Sequence, residues 1–94
     1  MTQSTTSTNS AVTVGSSTTA VLTANAGRLG IILVNDSNEV IYLAFGDSAV
    51  ANQGVRLNAS GGSLVLDNSL MSTQAINAIC ASGSKVLTYV TFNQ

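Results

Sequence analysis

Arg28-Leu29-Gly30-Ile31-Ile32-Leu33-Val34-Asn35-Asp36-Ser37-Asn38-Glu39-Val40-Ile41-Tyr42-Leu43-Ala44-Phe45-Gly46 decides the fold. Two apolar runs, the first rich in β-branched residues, flank a cluster of Asn, Asp and Ser. Side chains of that kind bond the local backbone and turn the chain. The runs have the length and composition of strands. Their spacing around the short polar connection Asn35–Asn38 reads as a hairpin. Along the first run Leu29, Ile31 and Leu33 face one way, with Gly30, Ile32 and Val34 on the other. Along the second, Ile41, Leu43 and Phe45 oppose Val40, Tyr42 and Ala44.

The same run-and-turn rhythm extends in both directions. Ala11–Val14 closes at Gly15-Ser16-Ser17, and Thr19–Thr23 closes at Asn25-Ala26-Gly27. Downstream come Gly54–Leu57, the turn Asn58–Gly62, and Ser63–Asp67. Gln74–Ala81, the turn Ser82–Ser84 and Lys85–Phe92 complete the pattern. Ser48–Gln53 fits either a single helical turn or a crossing loop, and Asn68–Thr73 reads as a mostly polar connection. About eight short strands at this spacing predict an all-β fold, a small antiparallel β-sandwich with the jelly roll as a candidate topology. The expected core is Leu33, Ile41, Leu43, Phe45, Ile76 and Leu87. The chain contains no proline, so no run is barred from pairing on both edges.

Ninety-four residues make one domain. We place the sandwich at 11–94 and a loose polar arm at 1–10, because Met1–Ser10 is almost wholly Thr, Ser, Gln and Asn. Such a segment buries too little apolar surface to offset its ordering entropy. Charged residues are 7% of the chain, against roughly 25% in an average domain. Neutral polar groups replace them, with 24 Ser or Thr and 13 Asn or Gln. Several strands are apolar on both faces, and a two-sheet sandwich has no further layer to cover its outside. An outer face buried against other subunits accounts for that surplus.

The charge inventory argues against most chemistry. The cations are Arg28, Arg56 and Lys85; the carboxylates are Asp36, Glu39, Asp47 and Asp67. At net charge −1 there is no basic patch for a phosphate backbone, so no nucleic-acid partner is expected. Tyr42, Phe45, Tyr89 and Phe92 are too few for a base-stacking platform. Histidine is absent, which removes the usual general base and the commonest metal ligand. Cys80 stands alone among small and apolar neighbours and reads as a buried hydrophobe. No run reaches the length of a membrane span, and the N-terminus lacks the pattern of a signal peptide. Asn35–Glu39 carries oxygen ligands but not the spacing of a calcium loop, and Ser60-Gly61-Gly62-Ser63 lacks the lysine and helix of a phosphate loop. Arg28 and Arg56 suggest pairing with a carboxylate such as Asp36 or Asp47. Nothing visibly tunes Asp47 and Asp67 as an acid–base pair. We therefore expect no enzyme activity, no metal and no cofactor.

Three stretches carry a resemblance. Arg28–Ser37 with Val40–Gly46 is the first. Gly54-Val55-Arg56-Leu57 followed by Ser60-Gly61-Gly62-Ser63 is the second. Ile76-Asn77-Ala78-Ile79 with Ala81-Ser82-Gly83 is the third. Together they resemble a recurring pattern in small structural proteins of tailed-phage virions, over about residues 11–92. The resemblance implies a capsid decoration or cement subunit on the virion surface, made in the host cytoplasm, that stabilises the assembled head by non-covalent contacts. It implies as partners the major capsid protein and the chain itself as a homo-oligomer, with a trimer favoured; no membrane partner is expected. The alternative is a tail, collar or fibre component acting as a receptor- or carbohydrate-binding module. The expected interface residues are Tyr42 and Val90, each opposite an apolar set on its own strand, and the arm residues Met1, Thr2, Gln3, Ser4 and Thr5. Deleting Met1–Ser10 is expected to leave the folded domain intact.

Overall fold

Side chains alternate across a strand, so a run apolar at every second position can cover a core from one side. In the computed structural model, which describes residues 6–67 and 73–93, that alternation is realised in eight strands. They are β1 (Thr6–Val14), β2 (Thr19–Leu22), β3 (Arg28–Asn35), β4 (Ile41–Phe45), β5 (Val55–Leu57), β6 (Ser63–Leu66), β7 (Ile76–Cys80) and β8 (Lys85–Asn93). Two four-stranded antiparallel sheets result, ordered β1-β8-β3-β6 and β2-β7-β4-β5. The pairs β1/β8, β2/β7, β3/β6 and β4/β5 nest inside one another. The chain is thus one long hairpin with its tip between β4 and β5, rolled so that successive pairs fall alternately into the two sheets. This is the jelly-roll topology.

The core lies between the sheets. Ile31, Leu33 and Leu87 enter it from the first sheet; Ile41, Leu43, Leu57, Ile76, Ala78 and Cys80 enter from the second. Five of the six expected core residues are fully buried. The sixth, Phe45, is half-buried and packs against the same cluster.

Two strand assignments differ from expectation. The stretch around Asn35–Asn38 is not a hairpin. β3 pairs with β8 and β6, whereas β4 pairs with β7 and β5, so the connection crosses from one sheet to the other. Packed sheets stand about 10 Å apart, and a chain making that crossing must satisfy its backbone groups without a ladder. Asn35 does this. It is fully buried, and its Nδ2 donates to the carbonyls of Glu39 (2.7 Å) and Leu57 (3.1 Å). Its Oδ1 accepts from the Ser37 N–H (3.1 Å) and hydroxyl (2.6 Å). The Asn35 N–H donates to the Gly62 carbonyl, and the Asn35 carbonyl accepts from Gly61. One residue thus ties the β3–β4 crossing to the end of β5 through its side chain and to the β5–β6 turn through its backbone.

The second difference is at the N-terminus. β1 begins at Thr6, so Thr6–Ser10 belong to the sheet rather than to a loose arm, in register with Asn93 to Tyr89. Composition judges a segment alone, but β8 offers a nine-residue backbone partner, and ladder hydrogen bonds require no apolar side chains. A truncation that leaves the described sandwich whole therefore stops at Thr5; one reaching Ser10 removes more than half of β1. Residues 1–5 and 68–72, read above as arm and connection, lie outside the described residues. Ser48–Gln53 holds a turn at the hairpin tip, closed by the Gln53 N–H on the Val50 carbonyl (3.1 Å).

Glu39 completes the knotted end of the sandwich. Oε1 accepts from the Ser82 N–H (2.8 Å) and Oε2 from the Ser82 hydroxyl (2.6 Å), which joins the β3–β4 crossing to the β7–β8 turn. The hydrogen bonds from Ser82, with a smaller contribution from Lys85, hold the carboxyl below its ordinary range. A carboxylate depressed in the folded state stabilises above its unfolded pKa of about 4.3 and loses that contribution as pH falls through the folded value. Glu39→Gln should therefore flatten the acid side of a stability–pH curve below about pH 4.3, by bringing the neutral plateau down slightly and leaving the acid end unchanged. Urea melts at stepped pH values check this.

Candidate interaction surface

The alternation that fills the core leaves the opposite face of each strand outside. On the first sheet the register builds three outer rows: Asn9-Val90-Ile32-Val65, Ala11-Thr88-Val34-Ser63, and Ser7-Phe92-Gly30. Val65 is 64% exposed and Val86, further along β8, is 40% exposed. Ile32, Val34, Val90 and Phe92 are half-buried by their neighbours on the sheet. The Phe92 ring leans over Gly30, with one ring carbon 3.6 Å from where a Cβ would stand. None of the three rows contains a charged residue. The middle of this face is thus a contiguous apolar stripe across β8, β3 and β6. Larger patches of this kind mark contact sites.

The outer face of the second sheet differs. Tyr42 stands between Ile79 and Arg56, and Ala44 stands beside Asn77, which pairs in turn with Ala20. The Tyr42 hydroxyl donates to Asn52 Oδ1 (2.9 Å), and Asn77 Nδ2 donates to the Asp47 carbonyl (2.6 Å). These side chains are committed to the hairpin tip beside them. Tyr42 and Val90 consequently lie on opposite sides of the sandwich, and one flat contact can include only one of them. The other expected interface positions, Met1, Thr2, Gln3, Ser4 and Thr5, lie outside the described residues.

On sequence Ile32 and Val34 stand opposite Leu33, and Val90 opposite an apolar set on its own strand, but nothing there gathers them with Phe92 into one surface or singles out Val65. The run Leu64-Val65-Leu66 is uniformly apolar, so only its register against β3, with Val65 opposite Ile32, shows which member faces out.

Polar groups elsewhere are engaged in holding the fold. Arg28 is buried, with Nη1 donating to the Gln74 carbonyl (2.9 Å) and Nη2 to the Thr23 carbonyl (2.7 Å). Burial lowers its pKa, and a guanidinium stays charged at any working pH. In the calcium-like stretch, Asn35 and Glu39 direct their oxygens to Ser37 and Ser82. Among the described residues no three metal-ligating side chains cluster. Asp47 follows β4 in the second sheet and Asp67 follows β6 in the first. Cys80 is buried, its Sγ 3.4 Å from the carbonyl oxygens of Val14 and Gly15. An open depression of about 220 Å³ at the hairpin tip is lined by Ala44, Phe45, Asp47, Ser48, Val50, Gln53 and Gly54. No protein family, curated protein or solved structure matches this chain.

Proposed function

We propose that this protein is a structural subunit of a tailed-phage virion, a decoration or cement protein that lays the outer face of its β1-β8-β3-β6 sheet against the capsid shell. The observation that carries this reading is the uncharged apolar stripe of Ile32, Val34, Val65, Val90 and Phe92 on an otherwise neutral polar molecule. The resemblance of residues 11–92 to small virion proteins supplies the partner, the major capsid protein. A subunit of this kind needs no active site, and many copies make modest single contacts sufficient. With so few charges to cross the contact, its affinity should depend weakly on salt.

The opposite placement of the two candidate residues supplies the test. Val90→Asp sets a carboxylate in the apolar stripe, where desolvation without a partner is costly. It should lower occupancy on purified shells about tenfold or more. Tyr42→Asp, on the far face, should leave occupancy near wild type. Occupancy is read by gel densitometry of sedimented particles. Equal loss in both variants, or in neither, overturns the assignment of this face. Particles lacking the protein should also open at lower temperature or under weaker osmotic shock.

A second reading has one feature in its favour. The depression at the hairpin tip is lined by half-buried Phe45 together with Asp47, Ser48 and Gln53, groups able to hold a sugar. Labelled protein that binds host cells but not empty capsids establishes the receptor- or carbohydrate-binding alternative.

A further inference from the structure

The four edges of the two sheets end differently, and the difference singles out one of them. β6 offers four residues and is followed at once by Asp67. β5 offers three, with the exposed Arg56 at its centre. β2 offers four, and its register against β7 shifts between Ala20 and Leu22. Short length, a charge and a bulge are devices by which native sheets keep an edge from pairing with other chains. β1 has none of them. It is nine residues long, carries neither charge nor proline, and keeps an unbroken register with β8 from Thr6↔Asn93 to Val14↔Lys85. Ser7–Ala11 are exposed, and among the described residues β8 is its one sheet neighbour. Every second residue between Ser7 and Thr13 therefore turns its N–H and C=O away from β8.

We propose that this edge takes β1 of a second copy of the chain, antiparallel about a two-fold axis near Ser10. That register sets Asn9 opposite Ala11, Thr8 opposite Val12 and Ser7 opposite Thr13. Small, neutral and β-branched side chains then face each other and no like charges meet, which favours cross-strand pairing. The contact uses the same patch on both copies and closes on itself. An edge without protective devices meets its own copies first, and nothing in this strand selects a charged partner. The axis stands normal to the sheet, so the apolar outer faces of both copies lie on one side of a continuous eight-stranded sheet. The unit is a dimer, where the resemblance implies a trimer.

The inference is independent of the capsid reading, and sedimentation equilibrium of the full chain separates the two. Wild type is expected to be dimeric at micromolar concentration. Asn9→Lys/Ala11→Lys puts lysines opposite one another at exposed positions and should weaken association on the order of 100-fold. Asn9→Glu/Ala11→Glu should do the same, and an equimolar mixture of the two variants should pair again. Amides of β1 should exchange slowly in wild type and faster in the lysine variant. Ser10→Cys should form an intermolecular disulfide on mild oxidation, because the axis brings the two positions together; the exposed Val65→Cys should not. A monomeric or trimeric wild type, a dimer indifferent to the lysines, or Ser10→Cys crosslinking no better than Val65→Cys overturns the proposal. A wild-type monomer that still coats phage shells overturns it while leaving the capsid reading in place. A β1-paired dimer that ignores shells does the reverse.

Discussion

Replacing Asn35 with leucine should cost about 3–5 kcal/mol of folding stability. The side chain makes four hydrogen bonds while fully buried, two through Nδ2 and two through Oδ1. Leucine branches at the same atom and is larger, so no cavity opens and the loss is polar with some overpacking added. It strands the carbonyl of Leu57 and the N–H of Ser37 where water has poor access, and leaves the Glu39 carbonyl with the Ser37 hydroxyl (3.1 Å); each stranded group costs about 1–3 kcal/mol. The effects overlap, because relaxation of the crossing lets some groups find new partners. For a domain of this size each kcal/mol lowers the melting temperature by about 4–8 °C. Asn35→Asp tests the same account with a different sign. At neutral pH it keeps acceptors for Ser37 but points a carboxylate at two carbonyls. Acidification protonates the group and restores one donor, so the deficit relative to wild type should shrink as pH falls. A loss below about 1 kcal/mol for Asn35→Leu in urea melts would show that the crossing does not depend on this residue.

Gly54→Ala should be comparably damaging, at about 3 kcal/mol or more. Gly54 has φ +82°, a region that suits glycine and strains alanine. A Cβ there would also run into the Leu43 carbonyl oxygen. That oxygen belongs to the backbone of β4, whose Leu43 pairs with Val55 of β5, so no side-chain rotation relieves the clash. Either β5 separates from β4 or the turn rebuilds. Gly61→Ala is the control. Its φ is +110°, yet nothing lies within 4 Å of the added carbon, so it carries backbone strain alone. Thermal melts should rank Gly54→Ala well below Gly61→Ala. Equal melting temperatures would mean that the clash relaxes freely.

Most of the fold was legible because its signal is local. Alternation along Ile31–Leu33, Ile41–Leu43 and Ile76–Ala78 marks strands and core together, and each of these residues but the outward-facing Ile32, Tyr42 and Asn77 is buried. On sequence Asn35 is one end of a polar tip; in the structure it is a buried pin, since its role depends on Leu57 and Gly62, more than twenty residues away. Thr6–Ser10 reads as a loose arm because composition carries no trace of the strand beside it. Val65 escaped notice for the same reason, and Tyr42 and Val90 could be placed outside the core but not on opposite sheets.

Read alone, then, the chain establishes eight extended segments, their turns, an all-β sandwich and part of its core. Each of those follows from a period of two along a few neighbouring residues and from turn chemistry within four. The three-dimensional structure decides which strand lies beside which: that β3 and β4 part into different sheets, that β1 runs to Thr6, and that one outer face is apolar while the other is tied to the hairpin tip. A backbone ladder accepts any sequence able to adopt the extended form. The choice of partner is therefore made by burying all the inner faces at once, a property of the whole sandwich that no single stretch of the chain contains.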